Sequence, residues 1–412
     1  MKTYKLLLVV LVMMSLFSCS SDTDNSAEVE DTESDEVETY ILVEVTNGGG
    51  VYLINQDGEE VYNFDLNYTL GNDANLEDDG SLVAIVKSNN TDITFGGYGG
   101  KFIKQNADKS IEWEVEYASS EYNAHHDVET LPNGNILFPV WEKVSADDAT
   151  AAGFSGGFDI YPESIVEMDP LTQEVVWQWR MMDHVIQDHD SAQANFGVVA
   201  NNPRKIDLNY NNSQTDGDIT HANGLTYDEE NDLIYMTVNY YSEVWVIDHS
   251  TTTTEAATEQ GGDQGLGGDL VYRFGNPEVY DNEVGEVTLN RVHYPNLLDN
   301  GNVLVFANQL NAGQSEAIEF DLPDEFSLEV GVDNEPTIAW SFTDENLYSG
   351  FISSAVRMDN GNTLIAEGVA GTLWEVSDSG EIIWQYQIVS ENLWRAYVFS
   401  SDSSAIQALD IE

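Results

Sequence analysis

Basic side chains, cysteine and helical periodicity are all scarce in this sequence, and each shortage removes a class of protein. Lysine and arginine number 14 against 74 aspartates and glutamates, a formal net charge of −60 at pH 7. So anionic a surface repels nucleic acid and acidic membrane, and neither is expected as a partner. An anionic ligand would have to be held by local donors against that field. The single cysteine, Cys19, leaves no disulfide within the chain and no thiol chemistry beyond it. There is no HExxH or CxxC sequence and no Walker-type phosphate loop, so no motif argues for a zincin or a nucleotide site.

What is present begins with a leader. Met1 to Lys5 is basic, Leu6 to Phe17 is apolar, and Ser18 precedes Cys19, the order of a secretory signal over residues 1–18. Leu16-Phe17-Ser18-Cys19 resembles the lipobox of bacterial lipoproteins, which implies cleavage before Cys19 and lipidation of its thiol. The expected location is the bacterial cell envelope, with the membrane touched only through the lipid. Residues 20 to 39 carry nine acidic side chains and almost nothing apolar, so residues 19–39 are expected to be a solvated tether.

From residue 40 to 412 turn signals recur between short β-branched and aromatic runs, and two hairpin types alternate. The first turns at Asp79-Gly80, Asn133-Gly134-Asn135, Asn300-Gly301-Asn302 and Asn360-Gly361-Asn362, with a longer version at Asp228 to Asp232. The second spans Val51 to Phe64, Phe102 to Val115, Ile165 to Trp179, Val244 to Phe274, Ile318 to Phe342 and Leu373 to Tyr386. Six of the second type face only five of the first, so the missing hairpin must come from the chain ends, Ile41 to Val45 and Ala396 to Ser400. The expected fold is all-β, a six-bladed β-propeller whose terminal strands close one blade. Longer insertions at Ser145 to Gly157, His184 to Gly217 and Thr251 to Gly268 are expected to build a binding surface.

His126 lies seven residues before Asn133 and His293 seven before Asn300, with His221 similarly placed before its longer turn. The same offset reaches Ser353 and Asn72 in other repeats. Innermost strands line a propeller channel, so His126, His221 and His293 are expected to meet at one mouth. His125 beside them is turned away by strand alternation, yet a strand start leaves it within reach. His184, His189 and His249 read as structural, with His249 holding a turn. A histidine cluster suits an open zinc or copper site or a nucleophilic imidazole flanked by donors, and spacing does not separate the two.

The residues around the histidines resemble those of the bacterial arylsulfate sulfotransferases. The matching segments include Asn123-Ala124-His125-His126-Asp127, Asp218-Ile219-Thr220-His221-Ala222-Asn223, Ser242 to Thr251, Tyr272-Arg273-Phe274-Gly275-Asn276-Pro277, Ser353 to Gly368 and Arg395-Ala396-Tyr397. The resemblance spans most of residues 120 to 400. It implies an aryl sulfate donor, a phenolic acceptor, no cofactor or metal, and a sulfohistidine formed on His293, with His126 and His221 binding sulfuryl oxygens and moving protons. Where the family has an arginine this chain has Asn239, so Arg357 and Arg395 are expected either to replace its charge or to serve as structural ion-pair partners. His125 and Ser353 complete the expected substrate contacts. A propeller that only captures ligands, and a metallohydrolase, are the other readings.

Overall fold

The computed structural model describes residues 38–46, 50–311, 313–388 and 392–411. The leader, Cys19 and nearly all of the acidic segment lie outside the described residues. Apolar strands joined by tight turns can bury both faces of small sheets by packing them side by side around an axis. Six antiparallel sheets do so here. In blade one the order outward is Leu393–Ser400, Thr39–Val45, Gly50–Ile54, Glu60–Asn63, so the last strand of the chain is innermost and pairs with the first. Val43 faces Ala396 and Ile41 faces Val398, joining the two chain ends in one blade as expected.

The innermost strands of the other blades are Leu70–Leu76, Tyr122–Ala124 continued by Glu129–Thr130, Ala222–Asp228, Val292–Leu297 and Ser354–Arg357. Blades seal face to face: Leu42, Val51 and Leu53 of blade one pack with Leu82, Ala84 and Ile103 of blade two. Trp177 and Trp179 of blade three join Ile234 and Trp245 of blade four in another cluster. Each leucine, valine or isoleucine among them, fully buried, contributes roughly 1.5–3 kcal/mol.

The Asn-Gly-Asn turns have a second cause besides the positive φ of their glycines. Asn133 and Asn135 both donate to Glu167 Oε1, at 2.9 and 2.5 Å, and Asn300 and Asn302 repeat this on Glu319, Asn360 and Asn362 on Glu375. In each case a glutamate of the blade's third strand ties down the turn between the first two. The insertions fold locally: Ser145 caps the short helix Ala146–Ala151, Thr252 caps Thr253–Ala256, and Val185–Ile186 pairs in parallel with Ile206–Asp207.

At the axis Arg395 joins blade one to blades two, three and four. Its guanidinium donates to Asp73 of blade two at 2.7 Å, to both oxygens of Asp127 of blade three at 2.8 and 2.9 Å, and to the Asn223 carbonyl of blade four at 3.0 Å. Asp127 in turn accepts the Leu225 N–H at 2.7 Å.

Candidate active site

Inner strands do not enter the channel as regular β structure. Asn72, His126, His221 and Ser353 all have left-handed backbone, with φ of 133°, 60°, 52° and 101°. These are the positions related by the turn offset, and each costs of order 1 kcal/mol that regular strand would not. The consequence is a break in strand alternation. His125 and His126 therefore both point into protein instead of to opposite faces, and their Nδ1 atoms lie 2.8 Å apart. In blade five the left-handed residues are Arg291 and Tyr294, on either side of Val292 and His293.

The tautomer of His293 is set by Asn308. The Asn308 amide nitrogen donates to two carbonyls, Ser349 at 2.9 Å and Ile352 at 2.7 Å, which turns its oxygen toward His293 Nδ1 at 2.5 Å. Nδ1 is thereby the protonated nitrogen and Nε2 keeps the lone pair, which accepts the Ile352 N–H at 3.2 Å. Burial lowers the ring's pKa to about 3, so His293 is neutral at pH 7.

His126 is also held neutral, far below the usual imidazole range, by burial and by the neighbouring imidazoles. It sits against a glycine turn of blade two, where its N–H donates to the Gly97 carbonyl at 2.9 Å. A Cβ on Gly97 would fall 2.0 Å from His126 Nε2, and Gly97 has φ of 86°, so only glycine fits there. Behind His126, His125 stacks on Trp141 with centroids 3.7 Å apart and meets Glu163 Oε2 through Nε2 at 2.9 Å.

His221 differs from both. Burial disfavours its cation, but the Asp218 carboxylate hydrogen-bonded to Nδ1 outweighs this and raises its pKa. Its ring lies 4.8 Å from that of His126 and stacks on Tyr240. Arg291 lies over Tyr240 at 4.5 Å and donates to Asn239 Oδ1 at 3.2 Å. Asn239 Nδ2 donates to the Val292 carbonyl at 3.1 Å and approaches His293 Nδ1 only to 3.5 Å, too far to compete with Asn308.

His126, His221 and His293 line one cavity of about 310 Å³, together with Asn72, Phe95, Tyr98, Phe351, Trp394 and Lys87. Trp394 keeps its indole N–H buried with no partner among the described residues. Lys87 carries no carboxylate partner among the described residues, and its ammonium lies 4.7 Å from the Tyr98 ring. In a chain where acids outnumber bases by 74 to 14, a cation at a cavity with no carboxylate partner among the described residues is a local donor for a negatively charged group.

Arg395 and Arg357 do not line this cavity. Arg395 is engaged at the axis with Asp73 and Asp127, and Arg357 pairs with Glu319 of blade five. Ser353 is buried beside the cavity and accepts the Gly368 N–H at 2.9 Å. His249 bridges Asp232 at 2.7 Å and Glu167 at 3.1 Å, His184 bridges Asp269 and the Ala256 carbonyl, and His189 is exposed in its insertion. Lys87, Gly97, Glu163, Arg291, Asn308 and Trp394 enter the site without having been singled out by spacing. The run Gly96-Gly97-Tyr98-Gly99-Gly100 was the one visible signal among them.

A six-bladed propeller with three imidazoles and a lysine around one cavity is an enzyme-like architecture. The family model for arylsulfotransferase (ASST) matches residues 26–397, and the chain belongs to that family. No curated protein sequence matches. A Bacteroides caccae protein of unknown function has a similar solved structure, 13% identical, TM-score 0.50, covering 88% of this chain and 99% of that one. A catalytically inactive virginiamycin B lyase from Staphylococcus aureus, solved with quinupristin, is 11% identical with TM-score 0.37, over 77% of this chain and 69% of that one.

Proposed function

We propose that this protein transfers a sulfuryl group from an aryl sulfate to a phenol through a sulfohistidine on His293. The observation that carries the reading is the neutral His293 with its Nδ1 proton given to Asn308, which leaves a lone pair on Nε2 at the cavity. That nitrogen attacks sulfur as the S–O bond to the aryl oxygen breaks. The Ile352 N–H must release Nε2 first. Ile352 is a β-branched residue at φ of 57°, a strained conformation that a shift of this segment would relieve, and its N–H then faces the sulfuryl oxygens.

His221, with its raised pKa, and Lys87 supply positive charge to the transferred group, and the Trp394 indole N–H is a spare donor. Phe95, Tyr98 and Phe351 offer ring faces to the aryl groups. A second phenol then attacks the same sulfur and restores His293. In this reading Lys87 does the work of the arginine that Asn239 replaces, and Arg291 reaches the site only through Asn239 and Tyr240.

The test is transfer from para-nitrophenyl sulfate to added phenol. The wild type should release nitrophenol and form phenyl sulfate, and His293→Ala should do neither. If no aryl sulfate is turned over while ligands still bind, capture without chemistry becomes the better account, and the Ile352 amide on Nε2 would be its structural sign.

We also propose that Cys19 carries lipid and holds the enzyme at the cell envelope. Radiolabelled palmitate should enter the wild type and not Cys19→Ala, which should be released in soluble form.

A further inference from the structure

Glu163 sits at the head of the third strand of blade three, fully buried and outside the lining of the histidine cavity. Its Oε1 accepts from Thr220 Oγ1 at 3.1 Å and from the Ala222 N–H at 2.8 Å. Its Oε2 is left to His125 Nε2 at 2.9 Å, and His125 Nδ1 meets His126 Nδ1 at 2.8 Å. The far nitrogen of His126 is Nε2, in a ring that lines the cavity. Two hydrogen bonds and two imidazole rings thus connect a carboxyl in the blade interior to the cavity.

We infer that Glu163, His125 and His126 form a proton relay that serves the aryl oxygen in both halves of the reaction, with His126 the catalytic residue and His125 and Glu163 positioning residues behind it. The inference rests on the sulfuryl-transfer reading. At rest Glu163 is a carboxylic acid donating to His125 Nε2, His125 Nδ1–H donates to His126 Nδ1, and His126 holds a proton on Nε2. When the S–O bond breaks, the aryl oxide takes that Nε2 proton. His126 Nδ1 accepts the His125 proton, His125 Nε2 accepts the Glu163 proton, and Glu163 ends as carboxylate. In the second half the acceptor phenol gives its proton to His126 Nε2 as its oxygen attacks sulfur. Each proton moves back one bond, Glu163 is again an acid, and the N–S electron pair returns to His293.

No imidazolium persists in either state, which suits two rings that burial holds far below the usual histidine range. Burial and the Asp218 charge push the Glu163 carboxyl well above its ordinary range, so it retains a proton to give.

Glu163→Gln tests the relay, because a glutamine amide can fill the hydrogen bonds but cannot surrender a proton. Single-turnover release of phenol from phenyl sulfate should fall about 100-fold. Release of para-nitrophenol, which leaves readily as an anion, should fall at least about tenfold less. An equal loss with both esters, or no loss, would overturn the relay and leave sulfuryl transfer standing. Should the variant not fold, the wild type carries the test: a solvent deuterium isotope effect with a bowed proton inventory is expected for phenyl sulfate and a smaller one for para-nitrophenyl sulfate. Equal effects contradict the relay. NMR of the imidazole nitrogens in the free protein needs no turnover and so stands apart from the sulfuryl-transfer reading. It should find His126 protonated on Nε2, and protonation on Nδ1 instead would overturn the inference.

Discussion

Asn308 faces His293 with its oxygen and cannot do otherwise, because its amide nitrogen is committed to the Ser349 and Ile352 carbonyls. The pair fixes which imidazole nitrogen is available for attack. Replacing Asn308 with alanine strands the Nδ1 proton and lets the ring turn. The cost is that of a buried hydrogen bond, about 1.4–2.8 kcal/mol, or roughly tenfold to hundredfold in rate. The expected result is a fall in kcat for para-nitrophenyl sulfate with KM little changed, measured by steady-state kinetics.

Lys87 is the positive charge at the cavity with no carboxylate to neutralise it among the described residues. Lys87→Met should raise KM for an aryl sulfate about tenfold, near 1.4 kcal/mol of binding. Lys87→Arg should recover part of it. Wild-type KM should also rise with added salt and the methionine variant's should rise less, since screening acts on the charge that was removed.

Gly97 carries His126 on its backbone and leaves no room for a side chain. Gly97→Ala would set a methyl 2.0 Å from His126 Nε2 at a φ that alanine resists. Activity should drop at least about tenfold, and stability should fall by the ~1–2 kcal/mol of a left-handed alanine together with the ~1–3 kcal/mol of overpacking against the His126 ring. Melting and kinetics on one preparation separate the two effects.

The axial cluster gives stability a sign with pH. Burial raises Asp73 to about 8 and carries Glu44 and Glu129 well above their ordinary range. A carboxyl raised on folding stabilises below its unfolded pKa, and that contribution is lost as pH climbs through the folded value. His125, His126 and His293, lowered by burial, act in the opposite sense, but only below the unfolded value near 6.5, and His221, raised by Asp218, acts in the same sense as these carboxyls. Melting temperature should therefore fall as pH rises from 6.5 toward 8. Asp73→Asn should remove up to about 1.4 kcal/mol per pH unit of that slope, and an unchanged slope would contradict the assignment.

Much of the fold was legible because its signals are local. Asn-Gly turns announce themselves by the φ they need, and the shortage of one hairpin required the chain ends to pair. The histidine positions were legible for the same reason, each standing at a fixed distance from its turn. Glu163 and Asn308 were not, since a glutamate at a strand start or an asparagine inside a strand acquires its role only from a neighbour many residues away. Arg357 and Arg395 illustrate the converse, because composition shows that cations are rare but not which carboxylates surround them. His125 fell between the two cases: alternation turns it outward, and the left-handed backbone at His126 brings it back.

A covalent sulfuryl group on His293 would separate transfer from mere ligand capture, and it can be trapped. Mixing the protein with excess para-nitrophenyl sulfate and no acceptor, then quenching in alkali and digesting, should give a burst of one nitrophenol per chain. Mass spectrometry should then find the sulfuryl group on the peptide containing His293, absent from His293→Ala. Turnover without a burst, or a sulfuryl group on another residue, would contradict the account.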